Sequence, residues 1–173
     1  TYGKTACLFA SSCKVGALAA SMPDKSINTL EQYGLCLGYA YQIMDDLLDF
    51  LSDSSMLGKP VGNDLIEGNI TLPVIYALQS QEYGNWLRTL LEARQITTRK
   101  MPHVIKALID SQAVDKSLKL ACEFVSRAMG YLDALPNSTA IKELQLMAAH
   151  MLESYYQQTK HQYPPIFQEA ARQ

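Results

Sequence analysis

Residues 40–53 read AYQIMDDLLDFLSD and place four aspartates in a segment otherwise rich in apolar side chains. In a helix, spacings of three and four residues bring side chains to the same side. One side then carries Gln42, Asp45, Asp46, Asp49 and Asp53, and the other carries Ile43, Met44, Leu47, Leu48 and Leu51. The stretch therefore predicts a mostly buried helix with one acidic side.

The clustered aspartates favour a metal site. Carboxylates in a group repel one another, so at neutral pH they either raise their pKa values or recruit a cation. Mg²⁺ takes one or two protein carboxylates together with substrate phosphate oxygens, which suits Asp45, Asp46 and Asp49 holding a diphosphate. A solvated acidic face is the alternative, but a buried unpaired carboxylate is costly.

The rest of the chain predicts an all-α fold, because apolar residues repeat with a period near 3.6 almost throughout. We expect helices over residues 2–20, 26–51, 85–93, 102–110, 115–135 and 138–160, and another beginning near Ile70. Residues 52–68 hold three glycines and a proline, so we expect a loop there. Apolar stripes predict that the last two helices pack together, and the end from Gln162 is expected to be extended.

Composition narrows the class of protein. A chain of 173 residues with 48% hydrophobic residues can bury a core, and we expect one helical unit over residues 1–173. The net charge of −2 offers no broad basic field for nucleic acid. The four cysteines form no CxxC pair, so reduced thiols in a cytoplasmic protein are the simplest interpretation. The sequence contains no run of about eighteen apolar residues, so no transmembrane segment is predicted.

Downstream of the aspartates, residues 57–73 read LGKPVGNDLIEGNITLP. Glycines allow the backbone to approach closely, and Lys59 could bring an ammonium group to a phosphate near the aspartates. Taken alone, an ordinary surface connection with a solvated lysine is the simpler interpretation. The dipeptide Lys4-Thr5 near the start carries no information by itself.

Taken in order, three segments closely resemble the second conserved region of the trans-polyprenyl diphosphate synthases. They are KTA at residues 4–6, YQIMDDLLDF at 41–50 and LGKPVGNDLIEGNITLPVIYAL at 57–78. A DDxxD motif alone would be weak evidence for this family, but the whole series of motifs in this order is specific to it. The resemblance implies a helical bundle of the isoprenoid synthase type, of which this chain is about the C-terminal half. The missing N-terminal half would be an obligate structural partner, and the intact enzyme a homodimer.

The resemblance also implies site residues by position. It implies Mg²⁺ ligation by Asp45, Asp46 and Asp49, with the first two as the direct ligands. It also implies a set of residues that contact the allylic diphosphate or orient the metal site: Lys4, Thr5, Gln42 and Lys59. Asp64 would be a supporting residue, and Asn69 stands where many members have lysine. The family's first aspartate motif and its basic residues for isopentenyl diphosphate lie upstream of this region.

The implied function is prenyl transfer. A prenyltransferase of this family binds an allylic diphosphate through Mg²⁺ and condenses it head to tail with isopentenyl diphosphate, here giving a medium- or long-chain trans-polyprenyl diphosphate. The isolated chain is expected to be inactive. Three alternatives stay open: a non-catalytic partner subunit of a heteromeric prenyl synthase, a terpene cyclase-like helical enzyme, and a helical interaction module whose aspartates bind no metal.

Overall fold

The computed structural model describes residues 2–51 and 60–159, and every regular element in these ranges is helical. A π-helical turn, Tyr2–Ala6, leads into α1, Cys7–Ala19, which is followed by α2, Asp24–Leu51. The later helices are α3 Asn63–Ile66, α4 Leu72–Leu78, α5 Gly84–Glu92, α6 Met101–Asp110, α7 Ala113–Asp133 and α8 Thr139–Thr159. The expected all-α fold is confirmed.

The predicted helices are present, and their ends lie within two residues of the expected positions wherever the chain is described. One difference concerns residues 52–68, which were expected to be a loop throughout. Helix α3 occupies Asn63–Ile66 within them, and four residues are too few for a periodic apolar pattern to show. Residues 52–59, and the predicted extended end, lie outside the described residues.

The chain divides into two compact units. The first consists of residues 1–42 and 120–173, and the second of residues 43–119. The single helical unit expected over residues 1–173 stays a prediction. Among the described residues, no helix combines the length and the apolar character needed to cross a membrane.

In the first unit, α1 packs against α2 through two glycines of α2. An ideal Cβ placed on Gly38 would lie 2.6 Å from the Cα of Ala6, and one placed on Gly34 would lie 2.5 Å from the carbonyl oxygen of Phe9. The π-helical turn and α1 run antiparallel to α2, since Ala6 meets Gly38 whereas the later Phe9 meets the earlier Gly34. Backbones this close require that no side chain stands at either position.

Helix α8 and the part of α7 from residue 120 onward complete the first unit. The Tyr33 hydroxyl of α2 donates a hydrogen bond of 2.8 Å to the carbonyl of Leu144 in α8. The rings of Tyr39 and Phe124, from α2 and α7, lie 5.1 Å apart. Members of the two predicted apolar stripes are buried or half-buried: Leu118, Cys122, Val125, Met129 and Leu132, and Ile141, Leu144, Ala148, Met151 and Tyr155. Burial, with a contribution from Cys122 of α7, raises the pKa of Tyr156 on α8.

The second unit has its own apolar core. Helix α4 contacts both α5 and α6, and their central side chains are fully buried: Val74, Leu87, Val104 and Leu108. Helix α4 follows Thr71 and carries Pro73 in its first turn, where a missing N–H group costs nothing. The end of α2 joins this core through Leu47, Phe50 and Leu51, each at most 2% exposed.

Replacing Gly38 by alanine is expected to lower the free energy of unfolding by about 1–3 kcal/mol, because the new methyl group would overlap the backbone of Ala6. Gly16, in α1, is the matched control, since nothing lies within 4 Å of its ideal Cβ. Gly16→Ala should raise the free energy of unfolding by roughly 0.5–1 kcal/mol. Urea denaturation followed by circular dichroism measures both, and equal effects would contradict the close approach of the helices.

Candidate functional site

The acidic side of α2 lies in its last two turns. Asp45 is exposed, Asp46 is 8% exposed and Asp49 is half-buried. The opposite side is in the core, as predicted: Ile43, Met44, Leu47 and Leu51 are buried and Leu48 is half-buried. Asp53, the fourth predicted aspartate, lies outside the described residues. The last two turns of α2 therefore carry three carboxylates that differ in exposure, opposite a buried apolar side.

The start of α3 is hydrogen-bonded to Asp49. Oδ2 of Asp49 accepts a hydrogen bond of 3.2 Å from the N–H of Asp64, and its main-chain oxygen accepts one of 2.7 Å from the N–H of Gly62. Burial raises the pKa of Asp49. The N–H groups of Asp64 and Asn63 lower it, and the carboxylates of Asp64 and Asp45 raise it, so that the net shift is upward. The pKa of Asp49 is therefore raised by burial and by neighbouring negative charge.

These carboxylates fit a metal ion that arrives with a phosphate group. Within residues 2–51 and 60–159, no three His, Cys, Asp or Glu side chains form a group able to hold a metal. Among the described side chains of these ranges, no Lys, Arg or His forms an ion pair with Asp45, Asp49 or Asp64. A divalent cation would relieve this charge. Mg²⁺ uses one or two carboxylates plus phosphate oxygens, so the residues suit that mode and not an all-protein cage.

In the first unit, the structure brings together two other predicted site residues. The Thr5 hydroxyl donates a hydrogen bond to Oε1 of Gln42, which is 5% exposed. Thr5 belongs to the π-helical turn, a form that often occurs at functional sites. The contact between Ala6 and Gly38 lies next to this pair, because Ala6 follows Thr5 and Gly38 is one turn before Gln42. That contact sets the distance across which the hydrogen bond forms.

Two predicted lysines are not placed by the structure. Lys59 lies outside the described residues. The backbone of Lys4 belongs to the π-helical turn, but its side chain is outside the described side chains. Their predicted contacts with a diphosphate stay predictions. Asn69 is exposed, and its N–H donates a hydrogen bond of 2.8 Å to the carbonyl of Asp64.

Sequence reasoning missed the special position of Gly62. Its backbone is left-handed, at φ +71°, and an ideal Cβ there would lie 2.4 Å from Sδ of Met101, which is 3% exposed. Only glycine fits without displacing Met101. Gly62 was not expected to differ from Gly58 and Gly68. The signal available was the order Gly-Asn-Asp at a helix start, since Asn and Asp suit first turns.

Comparisons with known proteins agree with the fold and the motifs. A sequence profile of the family described as polyprenyl synthetase matches residues 1–108. The chain is 38% identical, over 137 residues, to heptaprenyl diphosphate synthase component 2 of Geobacillus stearothermophilus, which covers 79% of this chain and 42% of that protein. It is 35% identical, over 153 residues, to the chloroplastic solanesyl diphosphate synthase 2 of Arabidopsis thaliana, covering 88% of this chain and 36% of that protein.

A solved structure gives the same result. Geranylgeranyl pyrophosphate synthase of Corynebacterium glutamicum, crystallised with calcium and isoprenyl diphosphate, is similar with a TM-score of 0.77 and 32% sequence identity. The match covers 88% of this chain and 48% of the synthase. The chain thus spans less than half the length of each of these relatives.

Proposed function

This chain belongs to the polyprenyl synthetase family, and from that premise we propose that it is the part of a prenyltransferase that binds an allylic diphosphate through Mg²⁺. The acidic side of α2 carries the proposal. Among the described side chains, no cationic group forms an ion pair with Asp45 or Asp49. Burial and neighbouring negative charge also oppose the ionised form of Asp49 and raise its pKa. The intact protein would condense the allylic diphosphate head to tail with isopentenyl diphosphate in the cytoplasm. The product would be a medium- or long-chain trans-polyprenyl diphosphate.

Asp45 and Asp46 would hold Mg²⁺ directly, with Asp49 as the third member of the group. A bound Mg²⁺ supplies a Lewis acid that draws negative charge from the diphosphate. Lys4 and Lys59 would stabilise the charge that develops on the departing diphosphate.

Thr5 and Gln42 would orient the diphosphate. Because Oε1 of Gln42 accepts the Thr5 hydrogen bond, the orientation of the Gln42 amide is fixed. An amide held in one orientation loses little freedom when a ligand arrives. This supports a role in placing an anionic group or a metal-bound water.

Lys59→Ala is expected to lower turnover by about 100-fold. It removes a positive charge whose attraction to the diphosphate grows as the C–O bond of the allylic substrate breaks. Lys142, an exposed lysine of α8, is the matched control, and Lys142→Ala should leave the rate unchanged. Transfer of radiolabelled isopentenyl diphosphate to farnesyl diphosphate, with Mg²⁺ and with EDTA, measures both. Equal and small effects would make Lys59 an ordinary surface lysine, and full activity in EDTA would reject the metal.

A second candidate is one subunit of a two-component synthase. The relative from Geobacillus stearothermophilus is named as component 2 of a heptaprenyl diphosphate synthase. A homodimer of the intact protein is the arrangement we propose. Light scattering with parallel assays separates the two: a dimer active by itself supports the homodimer, and activity only after a second polypeptide is added supports the two-component enzyme.

A further inference from the structure

Helix α3 begins at a residue that cannot cap it. The cap position is Gly62, which has no side chain and therefore provides no capping hydrogen bond. Residues that usually cap helices, such as Ser and Asp, are excluded there by the left-handed backbone and by Met101 Sδ, 2.4 Å from an ideal Cβ. The first N–H groups of α3 consequently need an acceptor from elsewhere in the chain.

Asp49 of α2 supplies that acceptor. Its Oδ2 lies 3.2 Å from the N–H of Asp64, which follows it by 15 residues. Its main-chain oxygen accepts from the N–H of Gly62 at 2.7 Å. The N–H groups of Gly62 and Asp64 therefore both end on this one residue.

We propose that Asp49 is a positioning residue that holds residues 62–64 against α2 beside Asp45 and Asp46. In this proposal Asp45 and Asp46 are the direct metal ligands. This rests on the proposed function. Asp49 thus does at long range what a serine or aspartate at the cap position would do locally. These hydrogen bonds also join the residues on either side of the segment that runs from residue 50 to residue 61.

The difference between Asp45 and Asp49 supports this division of roles. Asp45 is exposed, and its carboxylate accepts no hydrogen bond from the described part of the chain. Asp49 is half-buried, and Oδ2 is already committed to the backbone of α3. A metal at Asp49 would have to use Oδ1 or share Oδ2 with the N–H of Asp64, whereas ligation by Asp45 competes with no hydrogen bond within the described residues.

Three substitutions and one control separate positioning from ligation. Asp49→Ala removes the side-chain acceptor of residue 49, and Asp49→Asn keeps a side-chain oxygen but loses the charge. Asp45→Asn removes the charged carboxylate of a proposed ligand. Asp24→Ala, an exposed acid in the first turn of α2, is the control. Two quantities are measured in each variant: hydrogen exchange at the N–H groups of residues 62–64 without metal, and Mg²⁺-dependent binding of inorganic pyrophosphate by calorimetry.

Asp49→Ala should speed exchange at the N–H of Asp64 roughly tenfold or more, because its charge-assisted hydrogen bond to Oδ2 is lost. The N–H of Gly62 keeps its main-chain acceptor in this variant. Asp49→Asn should keep exchange and pyrophosphate affinity within about threefold of the unsubstituted protein, since its oxygen can still accept. Asp45→Asn should leave exchange unchanged and weaken pyrophosphate binding roughly 10- to 100-fold. Recovery by asparagine at position 49, and not at position 45, is the signature of positioning.

Unchanged exchange at the N–H of Asp64 in Asp49→Ala would overturn the positioning role of Asp49. Pyrophosphate binding as weak in Asp49→Asn as in Asp45→Asn would also overturn the proposal, because Asp49 would then act through its charge. If Asp49→Ala also speeds exchange in α6, showing wider unfolding, the Asp49→Asn measurements decide alone. Unchanged affinity in Asp45→Asn would instead reject the metal site, and the exchange result would still stand.

Discussion

Asp45→Ala and Asp46→Ala, made separately in the intact protein, are each expected to lower turnover by about 100- to 1,000-fold. Each substitution removes a carboxylate that would hold the ion neutralising the departing diphosphate. The measurement is steady-state transfer of radiolabelled isopentenyl diphosphate to farnesyl diphosphate.

Asp24→Ala is the matched control for both substitutions. Asp24 is an exposed acid of the same helix, roughly 30 Å from Asp45 at the rise of an α-helix. It should retain the rate of the unsubstituted protein. If either substitution at position 45 or 46 stays within threefold of this control, that residue has no place in the site.

Supplied alone, residues 1–173 are expected to give no detectable elongated product from farnesyl and isopentenyl diphosphates. The chain spans 42% of the length of its Geobacillus stearothermophilus relative. In the family that the sequence resembles, the first aspartate motif and the groups for isopentenyl diphosphate lie in the other half. Holding two reactants together contributes about 7–11 kcal/mol to lowering a barrier, and one binding site cannot provide it.

The same assay with the upstream half of the protein added is the control, and activity should return. Helix α1 leaves three large apolar side chains exposed, Leu8 at 65%, Val15 at 63% and Leu18 at 54%. We therefore expect the isolated chain to associate, either with itself or with the added half. Product formed by residues 1–173 alone would show that the chemistry needs fewer residues than we propose.

The helices could be predicted closely because burial follows the apolar period. Proline also lies at helix boundaries in the structure, with Pro23 just before α2 and Pro73 in the first turn of α4. The π-helical turn at Tyr2–Ala6 could not be predicted, because its residues carry no pattern distinguishing it from an α-helical turn.

Less of the site geometry could be predicted. The aspartates were identified from their spacing, but the exposure of Asp45 and the burial of Asp46 depend on how α2 is rotated in its core. The hydrogen bond between Thr5 and Gln42 joins residues 37 apart, and sequence reasoning named both without pairing them. The need for glycine at position 62 arises from Met101, which belongs to a different helix.

Calorimetric titration of the intact protein with farnesyl diphosphate tests the central claim most directly, which is that the acidic side of α2 binds an allylic diphosphate through Mg²⁺. We predict binding that requires Mg²⁺, is abolished by EDTA, and weakens at least about tenfold in Asp45→Ala and in Asp46→Ala while Asp24→Ala binds normally. Binding of equal strength in EDTA, or unchanged affinity in both substitutions at positions 45 and 46, would contradict it.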